Sequence, residues 1–211
     1  NFHVGSMDLS HSGNGNAFSF NAVSKKLIVT GNTSMNVTSG NMGTDLRFNP
    51  GTGTMNFRGD FTCGATTDYA VPFYSNGTGT IVYGGNLTFS TGSFIYSTSL
   101  PERIIFDGSG TQTITTSGTG MNYMPILQIG GYSANTPTVI LAGDYVNDIR
   151  PSDLEVHSTL RFPESAGVND YGILRSTLGG SFWLGPNAKL ELGGDNIGGS
   201  TAIGNNNFPQ N

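Results

Sequence analysis

Short runs in which apolar and polar residues alternate follow one another along this chain, and each run ends at Gly, Asn, Asp or Ser. Alternation at every second position is typical of half-buried β-strands, and no 11-residue window keeps a helical apolar spacing without an interrupting Gly, Pro or Asn. The pattern therefore predicts an all-β protein. The predicted strands are Lys26–Thr30, Thr54–Phe57, Thr80–Tyr83, Asn86–Phe89, Ser93–Tyr96, Arg103–Phe106, Ile126–Ile129, Thr138–Leu141, Leu154–Val156, Thr159–Phe162, Ser181–Leu184 and Lys189–Leu192.

A phrase consisting of an aromatic residue, a Gly-rich turn and a Thr-containing strand start occurs three times, at Phe48–Met55, Phe73–Ile81 and Phe106–Ile114. Long-period echoes of this kind indicate a coil stacked on itself, with repeats of about 22 to 30 residues. The phrase predicts that its three copies occupy one corner of the coil. The residues expected to be equivalent are Gly51, Gly77 and Gly110 at the corner, and Thr54, Thr80 and Thr113 at the strand start.

A second echo places Gly, a short polar residue and a strand at Gly59–Thr62, Gly85–Thr88 and Gly143–Val146. Gly, Asn and Asp tolerate the backbone conformations of tight corners. The fold predicted from both echoes is a right-handed parallel β-helix, or β-solenoid. The alternative is an antiparallel β-sandwich, which would also contain many short strands.

Composition supports a folded chain with a neutral polar surface. Hydrophobic residues make up 36% of the 211 residues, whereas charged residues make up only 11%. Apolar side chains are expected in core columns, and outward Thr and Asn are expected in ladders that run from coil to coil. The net charge of −5 disfavours nucleic acid as a partner, because a phosphate backbone requires clustered Lys and Arg.

Residues 1–211 are expected to form one solenoid segment that is a fragment of a longer chain, because the pattern begins and ends in mid-repeat without terminal caps. Neighbouring domains of that chain are then its first expected partners, and the isolated segment is expected to associate end to end. No apolar run reaches the length of a membrane span. Cys63 is the only cysteine, so it is expected to be a buried apolar residue rather than half of a disulfide.

Segments covering residues 103–209, about half of the chain, resemble phrases common in very large secreted surface proteins of Bacteroidota. The segments that carry the resemblance are Arg103–Thr115, Met124–Ile129, Phe182–Gly194 and Gly204–Pro209. The resemblance implies β-solenoid adhesins and gliding-associated filaments, which are typically exported by the type IX secretion system to the cell surface. It implies no catalytic residues and no ligand.

Two or three converging carboxylates would be the signature of a β-helical polysaccharide lyase or hydrolase. The candidates are Asp144, Asp148, Asp153, Glu155 and Glu164. Asp144 follows a Gly corner and Asp153 follows Pro151-Ser152, so both are predicted to be turn residues that bind their own backbone. The five carboxylates are therefore not expected to meet in one groove, and no catalytic residue is predicted.

Metal and cofactor sites are not predicted, because His3, His11 and His157 are scattered and Gly193-Gly-Asp195 matches a calcium-roll motif only once. An exposed aromatic strip would indicate a carbohydrate-binding module. The dense aromatics are Tyr69, Phe73, Tyr74 and Tyr83, and core packing is the preferred explanation for most of them. Trp183 stands between Phe182 and Leu184, so one member of this trio must face outward or lie at a corner.

The function predicted from the sequence is a structural and adhesive section of an extracellular bacterial surface filament or giant adhesin. Such a section would provide reach and a repetitive polar face, with surface polysaccharide or other cell-surface proteins as further candidate partners. A β-helical polysaccharide lyase or hydrolase and a carbohydrate-binding module remain the alternatives.

Overall fold

The protein is described by a computed structural model that covers residues 1–12, 18–39, 46–65, 70–73, 78–89, 93–95, 103–116, 122–143, 149–162 and 181–192. These residues form twenty β-strands and contain no helix. The strands belong to three parallel sheets. We number the sheets in the order in which the chain first enters them.

Sheets 1 and 2 contain eight strands each, and sheet 3 contains four. Sheet 1 consists of β1 (Phe2–Val4), β4 (Lys26–Val29), β7 (Thr54–Phe57), β10 (Thr80–Tyr83), β13 (Arg103–Phe106), β15 (Asn122–Ile129), β17 (Ile149–Val156) and β19 (Phe182–Leu184). Sheet 2 consists of β2 (Met7–Ser12), β5 (Thr33–Ser39), β8 (Phe61–Ala65), β11 (Leu87–Phe89), β14 (Thr111–Thr116), β16 (Thr138–Gly143), β18 (Thr159–Phe162) and β20 (Lys189–Leu192). Sheet 3 consists of β3 (Phe18–Asn21), β6 (Leu46–Asn49), β9 (Ala70–Phe73) and β12 (Ser93–Ile95).

Each strand pairs with its counterpart from the preceding and following coil, and every described pairing is parallel. In sheet 1, Leu27 pairs with Met55 and Ile81 pairs with Ile104, so the chain completes one coil between the members of each pair. The predicted β-solenoid is therefore confirmed, and the antiparallel sandwich does not describe these residues. The handedness of the coil stays a prediction.

The core is the space between the sheets, into which alternate residues of each strand point. One column of sheet 1 contains Leu27, Met55, Ile81, Ile104, Leu127 and Leu154, all at most 5% exposed. Cys63 is buried in the same core, as predicted. Apolar residues therefore stack on apolar residues from coil to coil.

The second inward column of sheet 1 is aromatic at its centre. Phe57, Tyr83 and Phe106 stack in consecutive coils, with ring centroids 5.9 and 5.2 Å apart and interplanar angles of 24° and 22°. Phe61 of sheet 2 meets Phe57 edge to face at 4.9 Å. Phe48 of sheet 3 lies 5.2 Å from Phe57. Stacked and edge-to-face rings thus join all three sheets at this level.

The coil changes its cross-section along the stack. From β1 to β12 each coil contributes a strand to all three sheets, whereas from β13 onwards the described residues contribute strands to sheets 1 and 2 only. Two strands of sheet 1, β15 and β17, each contain eight residues. Their register omits Pro125, whose ring nitrogen has no proton to donate to the sheet.

The predicted equivalence of the three phrase copies is correct for two strand starts and wrong for the third. Thr54 pairs with Thr80, but the partner of Thr80 in the next coil is Arg103, and Thr113 lies inside β14 of sheet 2. Gly51 lies between sheets 3 and 1, Gly110 lies between sheets 1 and 2, and Gly77 is outside the described residues. The reason is that the phrase encodes a turn followed by a strand, and more than one corner accepts that combination.

The second echo marks the corner between sheets 1 and 2 in its first two copies. Gly59 and Gly85 immediately precede the residues that lead into β8 and β11. A Cβ at Gly59 would lie 2.5 Å from the carbonyl carbon of Gly31, so adjacent backbones approach too closely here for a side chain. Gly143 instead ends β16 of sheet 2, and residues 144–148, which follow it, are outside the described residues, so its corner stays a prediction.

A ladder of amide and carboxylate oxygens runs beside this corner. The Oδ1 atom of Asn32 accepts the backbone N–H of Asp60 at 3.0 Å, Asp60 accepts that of Asn86 at 2.8 Å, and Asn86 accepts that of Thr113 at 2.8 Å. Each side chain therefore connects its coil to the next. The expected polar ladder exists at this corner.

Candidate functional site

Two of the five candidate carboxylates, Asp153 and Glu155, lie in the described residues, and both are on β17. Asp144, Asp148 and Glu164 are outside the described residues. The turn predicted for Asp153 is wrong, because this residue lies inside the eight-residue strand, despite Pro151. Its Oδ1 accepts the backbone N–H and the hydroxyl of Ser181 at 2.7 and 2.9 Å.

Residues at every second position of a strand share a face. The middle outward positions of sheet 1 form a column that we call the outer column. It contains Ile28, Asn56, Val82, Ile105, Gln128, Glu155 and Trp183, in register from β4 to β19. The first half of this column is mostly apolar and the last three positions are polar or aromatic.

The apolar members of the outer column differ from the expected ladder of Thr and Asn. Ile28, Val82 and Ile105 are between 2% and 5% exposed although they alternate with the core-facing residues. The outer face of sheet 1 is therefore not uniformly polar. Within the outer column, consecutive polar or aromatic residues begin only at Gln128 of β15.

Arg103 joins three coils at this transition. Its guanidinium donates to both carboxylate oxygens of Glu155, with 3.1 Å between Nη2 and Oε1, and it also donates to Oε1 of Gln128. Gln128 in turn donates from Nε2 to the carbonyl of Gly130 at 2.7 Å. The fork geometry of arginine suits a bidentate contact with a carboxylate, so this pair holds the side chain of Glu155 in one orientation.

Trp183 is the outward member of its trio, as the alternation required. Phe182 packs against the core, whereas the indole of Trp183 is 43% exposed. The imidazole of His157 lies against the indole, with ring centroids 4.5 Å apart and an interplanar angle of 47°. His157 Nε2 is 3.6 Å from Glu155 Oε2 and has no hydrogen-bond partner.

Two glycines make room for these rings. A Cβ at Gly185 would lie 2.8 Å from Cη2 of Trp183, and a Cβ at Gly131 would lie 2.7 Å from Cγ of His157. Gly131 also has a φ of +77°, which L side chains rarely adopt. The two rings therefore lie over bare backbone in successive coils. We call Arg103, Gln128, Glu155, His157 and Trp183 the polar-aromatic cluster.

The long corner between β15 and β16 is fastened by Asp107, which is 6% exposed. Its carboxylate accepts the hydroxyl of Ser133 at 2.5 Å and the backbone N–H of Tyr132 at 3.3 Å. Asn135 donates from Nδ2 to the Asp107 carbonyl at 2.8 Å. These contacts shape the corner and leave Tyr132 42% exposed.

The other predicted candidates lie elsewhere or outside the described residues. Tyr83 is a fully buried core residue, as preferred. Tyr69 and Tyr74 are outside the described residues, and for Phe73 only its place in β9 is described. Within the described ranges, no group of three His, Cys, Asp or Glu side chains could hold a metal ion.

Sequence reasoning missed the polar-aromatic cluster because its members are far apart in the chain. Arg103 and Glu155 are 52 positions apart in the sequence. They meet because β13 and β17 flank β15 in sheet 1, so the side chain of Arg103 reaches Glu155 across a single strand. Alternation required one member of the trio Phe182, Trp183 and Leu184 to face outward or lie at a corner, but nothing in the sequence paired Trp183 with His157. The one usable signal was the number of residues between equivalent positions in successive coils. That number is larger from Leu27 to Met55 than from Ile81 to Ile104, so it does not predict which residues meet.

The described cluster places an exposed indole, an imidazole, a guanidinium and a carboxylate on one face of sheet 1. Both candidate carboxylates that the structure describes already accept hydrogen bonds, Glu155 from Arg103 and Asp153 from Ser181. No family model matches this chain, and comparisons with curated proteins and with solved structures find no match. Among the described residues, no helix is long and apolar enough to cross a membrane.

Proposed function

We propose that this chain is a structural and adhesive section of an extracellular bacterial surface filament or giant adhesin. The observation that carries the proposal is the parallel pairing of each strand with its counterpart in the next coil throughout sheets 1 and 2, each with eight strands. In such a stack each coil packs mainly on its two neighbours, so the stack provides length rather than a central pocket. Surface location, export by a type IX system and membership of Bacteroidota belong to this proposal.

The bonds between coils suit a load-bearing role. The ladder of Asn32, Asp60 and Asn86 adds side-chain hydrogen bonds to the backbone bonds between coils. Arg103 connects coils that are not even adjacent. Pulling on the ends of the chain must break these contacts together within each coil before that coil can extend.

The alternative with a specific observation in its favour is carbohydrate binding. An exposed indole beside a fixed carboxylate and guanidinium matches what a sugar-binding surface requires. Glycan recognition is one means by which an adhesin attaches, so this alternative and the adhesive role are compatible. For the lyase or hydrolase alternative, the two described candidates, Asp153 and Glu155, already accept hydrogen bonds from Ser181 and Arg103.

The structural role can be tested by pulling the chain between two handles in a single-molecule force experiment. We expect stepwise unfolding, because releasing one coil adds roughly 80 Å of extended chain. Antibody labelling of intact cells of the source organism tests the location. Extension without force peaks, or labelling only after the cells are permeabilised, would contradict the proposal.

A further inference from the structure

The strongest unassigned feature of the molecule is the exposed indole of Trp183 and the groups around it. The indole is 43% exposed, and few other large apolar side chains among the described residues are exposed to this extent. One of them, Phe2, lies at the opposite end of sheet 1. Trp183 follows Glu155 in the outer column, so the two side chains stand on adjacent strands, about 4.8 Å apart. The apolar indole of Trp183 and the Arg103–Glu155 ion pair thus lie side by side.

From this arrangement we infer that the polar-aromatic cluster is a subsite for a neutral sugar ring of a polysaccharide. The inference rests on the proposed adhesive function and names its ligand class. The C–H groups on one face of a pyranose carry partial positive charge and pack against the negative face of an aromatic ring. The hydroxyl groups at the edge of the same sugar need donors and acceptors, which the adjacent Arg103–Glu155 pair supplies.

The Arg103–Glu155 pair has spare hydrogen-bonding capacity. A carboxylate offers about four lone-pair positions, and two of those of Glu155 accept from Arg103. Arg103 has five N–H donors, of which the described contacts use three. The side chains of Arg103 and Glu155 are 32% and 26% exposed, so solvent, and therefore a sugar hydroxyl, reaches both.

The subsite is formed before any ligand arrives. Gly185 beneath the indole and Gly131 beneath the imidazole leave room that a Cβ would fill, and His157 supports the indole from the neighbouring coil. A ring already held in place loses little freedom on binding, which lowers the cost of association. Gly185 is therefore a positioning residue for Trp183.

The charges around the indole favour a neutral ligand. Arg103 is compensated by Glu155, and Asp153 adds a further carboxylate on the same face of β17. A uronate, sulfated sugar or phosphate would approach two carboxylates and a guanidinium that is already paired. Like charges brought together disfavour binding, so acidic polysaccharides are excluded as ligands of this subsite.

Trp183 is the only tryptophan of the chain, so its fluorescence reports on this site directly. The test titrates the full chain with chitohexaose, cellohexaose and mannohexaose, and with hexagalacturonate as the acidic comparison. We expect at least one neutral hexasaccharide to shift the emission with a Kd on the order of 1 mM, and hexagalacturonate to have no effect.

Three variants locate the binding. Trp183→Ala, followed by calorimetry, should weaken binding by about 10-fold or more. Gly185→Ala keeps the tryptophan but displaces its ring, and should weaken binding about 3- to 10-fold. Phe2→Ala removes an exposed aromatic at the other end of sheet 1 and should leave the Kd unchanged. Far-UV circular dichroism checks that each variant is folded.

The inference is overturned if no neutral hexasaccharide binds, if binding leaves the emission of Trp183 unchanged, or if Gly185→Ala and Trp183→Ala bind as tightly as the parent chain. Each of these results concerns the subsite alone, because surface location is measured separately by labelling intact cells. Sugar binding by a chain that intact cells do not expose would support the subsite and contradict the proposed function.

Discussion

The stack contains two regions that share sheets 1 and 2 but differ in how they are held together. From β1 to β12 each coil has three described strands, and stacked aromatic rings fill the core at their junction. From β13 to β20 the described coils have two strands, and the inward column that contains Phe106 continues as Ile129 and Val156. A wider cross-section requires larger side chains to fill it, because protein interiors are close-packed.

The outward-facing residues of the outer column also differ between the two regions. Ile28 and Val82 are buried on the outside of the first region, and Ile105 is buried at the start of the second, whereas Gln128, Glu155 and Trp183 form a polar and aromatic surface on the rest of the second region. The comparison indicates a division of roles. The first region contributes packing, and the second contributes the surface on which we place sugar binding.

The largest expected effect is on the aromatic core. Phe57→Ala should lower the free energy of unfolding by about 3–5 kcal/mol, because it removes a ring that contacts Phe48, Phe61 and Tyr83. Val156→Ala, in the same column of the second region, should cost about 2 kcal/mol, since fewer carbons are lost. Urea unfolding followed by circular dichroism measures both, and equal losses would remove the distinction between the two cores.

Gln112 fastens the corner where the two regions meet. It is 2% exposed, its Oε1 accepts the N–H of Gly108 at 2.7 Å, and its Nε2 donates to the carbonyls of Tyr83 and Gly85 at 3.1 and 2.7 Å. Gln112→Met keeps a similar volume but removes the amide's bonds to Gly108 and Gly85, while the carbonyl of Tyr83 keeps its bond from the N–H of Asp107. The change should cost about 2–4 kcal/mol. The same urea experiment applies, and a variant as stable as the parent would mean that the amide is not required here.

The corner between sheets 1 and 2 also differs between the two regions in how closely the backbones of adjacent coils approach each other at its glycines. In the first region Gly59→Ala places a Cβ 2.5 Å from the carbonyl carbon of Gly31, and should cost about 1–3 kcal/mol. Gly110→Ala, at the corresponding corner after β13, meets nothing within 4 Å. Its stability should change by less than about 0.5 kcal/mol. A tolerated Gly59→Ala would show that the coils can separate at this corner.

The smallest expected effect is on ion pairs of the second region. Arg103→Gln should cost less than about 1 kcal/mol, because both partners remain in contact with solvent. Arg161→Gln breaks the pair with Glu191, whose side chains are 45% and 39% exposed, and should cost less still. Both losses should shrink between about 0.05 and 1 M NaCl as salt screens the charges. A large, salt-independent loss for Arg103 would instead indicate a core-like role.

Alternation in the sequence was sufficient to predict most strands of sheet 1, because Val, Ile and Phe alternate clearly there. It missed Met7–Ser12 and Thr33–Ser39, where Ser, Thr and Asn dilute the apolar positions. It also missed three of the four strands of sheet 3. Repetition predicted the solenoid correctly, but one phrase occurs at two different corners, so repetition alone assigned Gly110 and Thr113 to the wrong place.

For the candidate site, the sequence by itself determined only that one member of the trio Phe182, Trp183 and Leu184 faces outward or lies at a corner, because a strand has only two faces. The structure shows that Phe182 packs against the core and that Trp183 is the outward residue. The sequence also determined the all-β coil, since every apolar run is too short for a helix of ordinary length. Only the tertiary structure decided which residues meet on the surface. The length of chain in one coil differs from coil to coil, so the register that brings Arg103 to Glu155 and His157 to Trp183 is fixed by packing across strands and not by distance along the chain.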